Sequence, residues 1–277
     1  METKWYIEKD FFWEGKPDTL LSILKEMNVP FELGKVHSVK PFPYRVDDCV
    51  VVYGSIEFVR EVNQLMAWVP GDWVFGNKQN FYCSSYYSHY SDFLFNQEFF
   101  YMPLADLYRK KNFVFDVLSS NEWLFVRPDS PFKEFTGVAL HRNEVCKKIP
   151  AMSYGDLAPN LMVLIAPVKR IKSEYRFYVA KDEVIAGSRY KLNDEHDEDP
   201  ICPQGAYDIA LKVAQNEWLP SPVFSVDIGE NGYGDFKLLE INGFNTSDMY
   251  WCDLKKIVTR VNEVAMKEWE NYQKETT

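Results

Sequence analysis

Val223-Phe224-Ser225-Val226-Asp227, then Gly229-Glu230-Asn231-Gly232-Tyr233-Gly234, then Phe236-Lys237-Leu238-Leu239-Glu240-Ile241-Asn242 is the stretch on which the fold turns. Two apolar runs around a glycine-rich turn read as an antiparallel hairpin. Side chains alternate along a strand, so Glu240 and Asn242 share a face, and Asp227 joins them where the register permits. Two carboxylates and an amide oxygen form a hard-oxygen set. Such a set suits Mg²⁺, which binds through one or two carboxylates and keeps waters and substrate phosphates. The plain alternative is a solvated sheet face. Against it, Leu238, Leu239 and Ile241 embed Glu240 in an apolar strand, where an unpaired charge is costly.

Outward from the hairpin, residues 124–128 and 161–168 read as apolar strands. Residues 174–179 alternate and pair with 183–190 across a Lys181-Asp182 turn. Residues 205–218 and 253–272 carry helical spacing, the latter with Ile257, Val261, Val264, Ala265 and Trp269 on one face. An antiparallel sheet with helices makes the second half an α+β domain. Further upstream, a strand over 48–55 ends in Gly54-Ser55 and precedes a helix over 56–66, which is an α/β unit. The Tyr- and Phe-rich stretch 75–100 reads as an aromatic core under irregular loops rather than a binding surface. The charge block 193–199 reads as a solvated mobile loop, since like charges repel.

The chain of 277 residues carries 41 acidic and 31 basic side chains, a net charge of −10. That field opposes a generic nucleic-acid or anionic-membrane binder, so neither partner is expected. Any phosphate would need a local cationic pocket. The longest apolar run, residues 161–168, is far below the roughly 18–20 residues that cross a bilayer. Glu8 and Asp10 interrupt the start before an apolar stretch forms, so no signal peptide is expected. Five scattered cysteines without a C-x-x-C pair argue for free thiols in a reducing cytoplasm. The four histidines also lack metal-ligand spacing.

Four cations complete the picture. Arg127 ends the strand 124–128, Lys133 follows closely, Arg176 lies within 174–179 and Arg189 lies on the return strand. Each taken singly is more simply a structural ion pair. Together, beside a carboxylate hairpin, they suit a polyphosphate whose charge is shared between a cationic wall and Mg²⁺.

In this order the residues resemble a known family. Phe125-Val126-Arg127-Pro128, Lys133-Glu134-Phe135-Thr136-Gly137, Glu174-Tyr175-Arg176-Phe177-Tyr178-Val179, Gly187-Ser188-Arg189-Tyr190, Asp227 and Leu239-Glu240-Ile241-Asn242-Gly243-Phe244-Asn245 are similar to the ATP-grasp superfamily. More narrowly they resemble its clade described by two arginines and one lysine, common in phages and bacteria. The resemblance covers residues 120–265, and extends weakly to Val52-Tyr53-Gly54-Ser55 and Pro70-Gly71-Asp72-Trp73. It implies an ATP-grasp fold of antiparallel sheets with helices, the nucleotide between two subdomains, over residues 119–277. A small α/β domain would precede it over residues 1–118.

The resemblance also implies roles. Arg127 would touch the α and β phosphates and Lys133 would lie in the segment covering them. Backbone groups at Ala166 and Val168 would read the adenine edge, and Glu174 would take the ribose hydroxyls. Arg176 and Arg189 would face the γ-phosphate and the acyl phosphate made from it, and Asp227, Glu240 and Asn242 would hold Mg²⁺. The implied activity is an ATP- and Mg²⁺-dependent carboxylate–amine ligase joining a small-molecule or peptide carboxylate to an amine. One departure is clear: Ser130-Pro131-Phe132-Lys133 stands where a glycine-rich phosphate-covering loop is usual. Two other readings compete. A nucleotide-binding module without catalysis would use the same groups. A glycoside-processing enzyme with Asp227 and Glu240 as acid and base would draw on the 16% aromatic content, and leaves the four cations unexplained.

Overall fold

Among residues 2–9, 11, 17–38, 40–153 and 155–276, which the computed structural model describes, the strands form three sheets. The first is parallel, in the order β2-β1-β3-β4. It comprises β1 (Lys4–Glu8), α1 (Pro17–Glu26), β2 (Phe31–Gly34), β3 (Cys49–Tyr53), α2 (Ile56–Leu65) and β4 (Val69–Gly71). All five residues of β3 are buried, as its unbroken Cys-Val-Val-Val-Tyr run requires of a strand covered on both faces. Ser55 caps α2, its Oγ accepting from the Phe58 amide at 3.2 Å. The expected α/β unit is therefore present.

A short α3 (Cys83–Tyr86) follows, and around it Phe81, Tyr86, Tyr87 and Tyr90 sink into the core. The aromatic stretch is core, as its composition suggested.

The second sheet is antiparallel, in the order β5-β8-β6-β7. Its elements are β5 (Phe100–Pro103), α4 (Leu104–Leu118), β6 (Trp123–Pro128), β7 (Val138–His141), α5 (Val145–Ala151) and β8 (Met162–Pro167). The division expected at 118/119 falls between α4 and β6. Across it, β5 pairs with β8, and Leu107 and Phe115 of α4 share a core with Leu124 and Val126 of β6.

The third sheet, in the order β11-β10-β9-β12-β13, is antiparallel throughout. It holds β9 (Ser173–Ala180), β10 (Glu183–Leu192), β11 (Glu195–Asp199), β12 (Val223–Glu230) and β13 (Phe236–Gly243), with α6 (Gln204–Ala214) and α7 (Leu254–Thr276) packed on it. Tyr175, Phe177, Val226 and Ile228 face Ala206, Ala210 and Val213 of α6. On the other face, Tyr178, Ala180 and Val223 pack with Ile257, Val258 and Val261 of α7 and with Trp5 and Val51 of the first sheet.

The charge block 193–199 is not the loop its composition suggested. Asn193-Asp194 make a turn and the rest forms β11, because basic partners neutralise the block: Arg189 Nη2 lies 2.7 Å from Asp197 Oδ1 and 3.3 Å from Asp199 Oδ2, and Lys191 Nζ lies 3.3 Å from Asp194.

Gly243-Phe244-Asn245 ties the first sheet to the third. Asn245 Oδ1 accepts from the Trp73 amide at 2.8 Å, and its Nδ2 donates to the Val52 carbonyl at 2.6 Å. A Cβ on Gly243 would lie 2.1 Å from Val74 Cγ2, so only glycine permits this approach.

Candidate active site

The site is built on one transverse row of the third sheet. Ser188 pairs with Arg176, Arg176 with Asp227, and Asp227 with Glu240, across β10, β9, β12 and β13. Paired residues share a face, and Ser225↔Asn242 is the adjoining pair on that face. The register that unites Asp227 with Glu240 and Asn242 is the one the hairpin needed. A one-residue irregularity follows directly, between Asp227 and Ile228, of the kind that re-aims side chains beside functional sites.

Side chains in this row form a continuous alternation of charge. Arg176 grips Asp227 with two bonds, Nε to Oδ1 at 2.8 Å and Nη2 to Oδ2 at 2.7 Å. Asn242 Nδ2 donates to Glu240 Oε1 at 2.9 Å and to Asp227 Oδ2 at 3.3 Å. Glu240 Oε2 meets Arg127 Nη1 at 2.7 Å. Arg127 belongs to β6, so this pair carries the cluster from the third sheet to the second. Lys133 completes the cationic side, with φ at 52°, a left-handed conformation uncommon outside glycine.

The two carboxylates are held differently. Burial pushes Asp227 up to about 6, against the pull of Arg176. Burial also opposes the charge on Glu240, but Arg127 and then Lys133 outweigh it and hold that carboxyl well below the usual range. Arg176 and Arg127 both stay charged although buried, since each is paired with a carboxylate, Asp227 and Glu240 respectively.

Ala166 and Val168 lie at the end of β8. Ala166 pairs with Phe125, two residues along from the Arg127↔Leu164 pair and therefore on the same face. Ala166 is buried and Val168, just past the strand, is exposed.

The structure does not bring Arg189 to the face of Arg176, where resemblance implied that both would meet the γ-phosphate, and Glu174, for which it implied the ribose hydroxyls, sits beside Tyr190 and Lys191. Arg189 pairs with Tyr175, so it lies on the opposite face from Arg176 and turns to Asp197 and Asp199. The cause is a bulge between Val184 and Ala186. Straight pairing from Glu183↔Ala180 would have set Arg189 against Glu174, on the face of Arg176; one extra residue reverses it. Glu174 does share the Arg176 face, but its oxygens are taken by Tyr190 Oη at 2.6 Å and Lys191 Nζ at 2.9 Å.

Sequence reasoning missed Tyr190 and Tyr250. Their rings stack at 4.8 Å and 7°, and lie 5.5 and 5.1 Å from Arg176 Cζ. Tyr190 was within reach of strand alternation had the bulge been known; Tyr250 sits in an irregular segment with no periodic signal.

Among the described residues, no group of three or more His, Cys, Asp or Glu is placed to hold a metal. The donors here are two carboxylates and one amide. All are hard oxygens, and Asn242 spends its nitrogen on the carboxylates, so the set fits Mg²⁺ better than a softer ion.

No curated protein sequence matches the chain. Its fold is similar to that of D-cycloserine synthetase DcsG, with a TM-score of 0.60 and 10% identity over 95% of this chain and 99% of that one. It is similar also to the ATP-grasp ligase PsnB complexed with minimal precursor, at 0.60 and 10% over 95% and 99%. A third similar fold is D-alanine–D-alanine ligase from Bacillus anthracis, at 0.60 and 10% over the whole of both chains. The family model for the ATP-grasp domain of the clade named for its two arginines and one lysine, the second family of that clade, matches residues 109–259, more than half of the chain, and the chain belongs to that family.

Proposed function

We propose that the protein is an ATP- and Mg²⁺-dependent carboxylate–amine ligase that forms an amide or peptide bond through an acyl phosphate. The observation that carries this reading is the Arg127–Glu240 contact, at which cations and carboxylates from two sheets become one cluster. In this reading Arg127 and Lys133 bind the phosphates and the end of β8, at Ala166 and Val168, receives the adenine edge. Arg176 orients the terminal phosphoryl group. Asp227, Glu240 and Asn242 would hold Mg²⁺, which when bound neutralises charge on the phosphates.

A substrate carboxylate oxygen attacks the γ-phosphorus, the bond to the β-phosphate oxygen breaks, and ADP leaves. The amine then attacks the acyl carbon, phosphate departs, and the amine loses a proton. No side-chain nucleophile is needed; the residues position and neutralise. Proteins of like fold include a D-alanine–D-alanine ligase and a ligase complexed with a precursor peptide, so the carboxylate of either a small acid or a peptide suits the reading.

The glycosidase alternative fits the geometry poorly. Its acid and base would be Asp227, 1% exposed with both oxygens bonded to Arg176, and Glu240, ion-paired to Arg127, and it leaves those arginines without a role. Calorimetric titration with ATP and Mg²⁺ tests the ligase reading. The wild type should bind, Arg127→Ala should bind at least tenfold more weakly, and ADP should form when the right acid and amine are supplied. No heat from demonstrably folded protein overturns the reading. Tight binding with no ADP across a broad panel of acids and amines replaces it with the silent module.

A further inference from the structure

We propose that Tyr250, backed by Tyr190, is a positioning residue for Arg176, an assignment that rests on the ligase reading above. Tyr250 holds φ at 43°, in the left-handed region. For a bulky aromatic residue that conformation is a true outlier, and it persists only where the surroundings impose it. The imposing contacts are specific. Tyr178 Oη donates to the carbonyls of Ser247 at 2.7 Å and Asp248 at 2.8 Å, and Arg176 Nη1 donates to the Asp248 carbonyl at 3.4 Å. The segment before Tyr250 is thereby pinned to β9, and the ring is brought against Arg176 and Tyr190.

Tyr190 is itself fixed from behind. Its hydroxyl donates to Glu174 Oε2, and Lys191 holds Oε1 of the same carboxylate. A chain of contacts thus runs from Lys191 through Glu174 and Tyr190 to Tyr250 and the guanidinium. None of its links involves Asp227.

That independence is the point of the arrangement. In the free protein Arg176 is oriented by its two bonds to Asp227. Once Asp227 turns to a metal and Arg176 to a phosphate, those bonds are weakened or lost. What still seats the guanidinium is the Asp248 carbonyl and the two ring faces, which attract a desolvated cation. The Tyr190–Tyr250 stack therefore keeps Arg176 aimed at the terminal phosphate while its carboxylate partner is engaged elsewhere.

Nucleotide affinities of Tyr250→Leu and Tyr250→Phe, measured with ATP and with ADP in Mg²⁺, test this. Leucine keeps apolar bulk and removes the π face; phenylalanine keeps the face. Tyr250→Leu should lose roughly 5- to 30-fold in ATP affinity with little change for ADP, and Tyr250→Phe should restore ATP binding to within about threefold of wild type. Tyr190→Leu leaves the backbone at residue 250 untouched, should show the same ATP-selective loss, and serves if Tyr250→Leu does not fold. Equal losses for ATP and ADP, or an unchanged ATP affinity in folded leucine variants, overturn the assignment. A wild type that binds no ATP instead overturns the ligase reading, so the two failures are distinct.

Discussion

Withdrawing Mg²⁺ from an ATP titration is the perturbation that reads the charge cluster most directly. In the free protein its charges cancel in pairs, Arg176 with Asp227 and Arg127 with Glu240. The first pair is 7% and 1% exposed, and removing one partner of so buried a pair costs about 3–5 kcal/mol. The second is 15% and 23% exposed and contributes less. On the proposed reading a triphosphate alone engages the arginines and leaves two carboxylates facing it unpaired; Mg²⁺ alone strands the two guanidinium groups. Bound together, each charge finds a new partner, so the loss that either ligand incurs alone is incurred by neither. Taking the lower bound for the buried pair, the coupling is about 3 kcal/mol, or roughly 150-fold. By reciprocity ATP must raise Mg²⁺ affinity by the same factor. The assay is calorimetric titration of ATP in chelator and in saturating Mg²⁺, corrected for ATP–Mg²⁺ association in solution, on wild type and Asp227→Asn. Equal ATP affinity with and without Mg²⁺, or full coupling surviving in Asp227→Asn, would refute the exchange of partners.

Two further outcomes follow from single groups. Asp227 is raised from 3.8 to about 6, chiefly by burial, so its neutral form is favoured by folding: the stability it adds is full below about pH 4 and is lost as pH rises through 6. Glu240 is held low and loses its contribution only as pH falls below the ordinary carboxylate range. Urea unfolding should therefore show the wild-type stability falling relative to Asp227→Asn between pH 4 and 6, and a constant difference would contradict the assignment. The Tyr101 hydroxyl is buried with no hydrogen-bond partner among the described residues. Leaving it unsatisfied costs at least about 1 kcal/mol, so Tyr101→Phe should raise the melting temperature by about 2 °C or more; a lower one sinks the reading.

What was legible in the sequence is what is local and periodic. The β12–β13 hairpin announces itself by two apolar runs and a glycine turn, and alternation puts Glu240 and Asn242 on one face without any structure. Register is a different matter. Both carboxylates come together because Asp227 falls opposite Glu240, and Arg189 is turned away because one residue bulges after Val184. A shift of one residue reverses every side chain beyond it, and nothing in Val184-Ile185-Ala186 marks the bulge. The block 193–199 misled for another reason: its charge repels only until Arg189 and Lys191 are beside it, and their approach is a tertiary fact. Tyr250 was out of reach altogether, since its conformation is imposed by Tyr178 and Arg176 from β9.

The displaced Arg189 also bears on how the site is held together. With it removed to the far face, Arg176 is the cation in the row of the third sheet, and Arg127 reaches that row from the second. Arg127 is then both a candidate phosphate ligand and the ion-pair partner by which β6 grips β13. A nucleotide drawing Arg127 off Glu240 would exchange a direct bond between the sheets for one routed through phosphate. Phosphate oxygens accept from Arg bidentately as carboxylates do, so the exchange can keep the sheets in register while making room between them. Lysine at position 127 could hold either anion as a point charge but lacks the planar fork that aligns one sheet against the other, which accounts physically for an arginine at this junction.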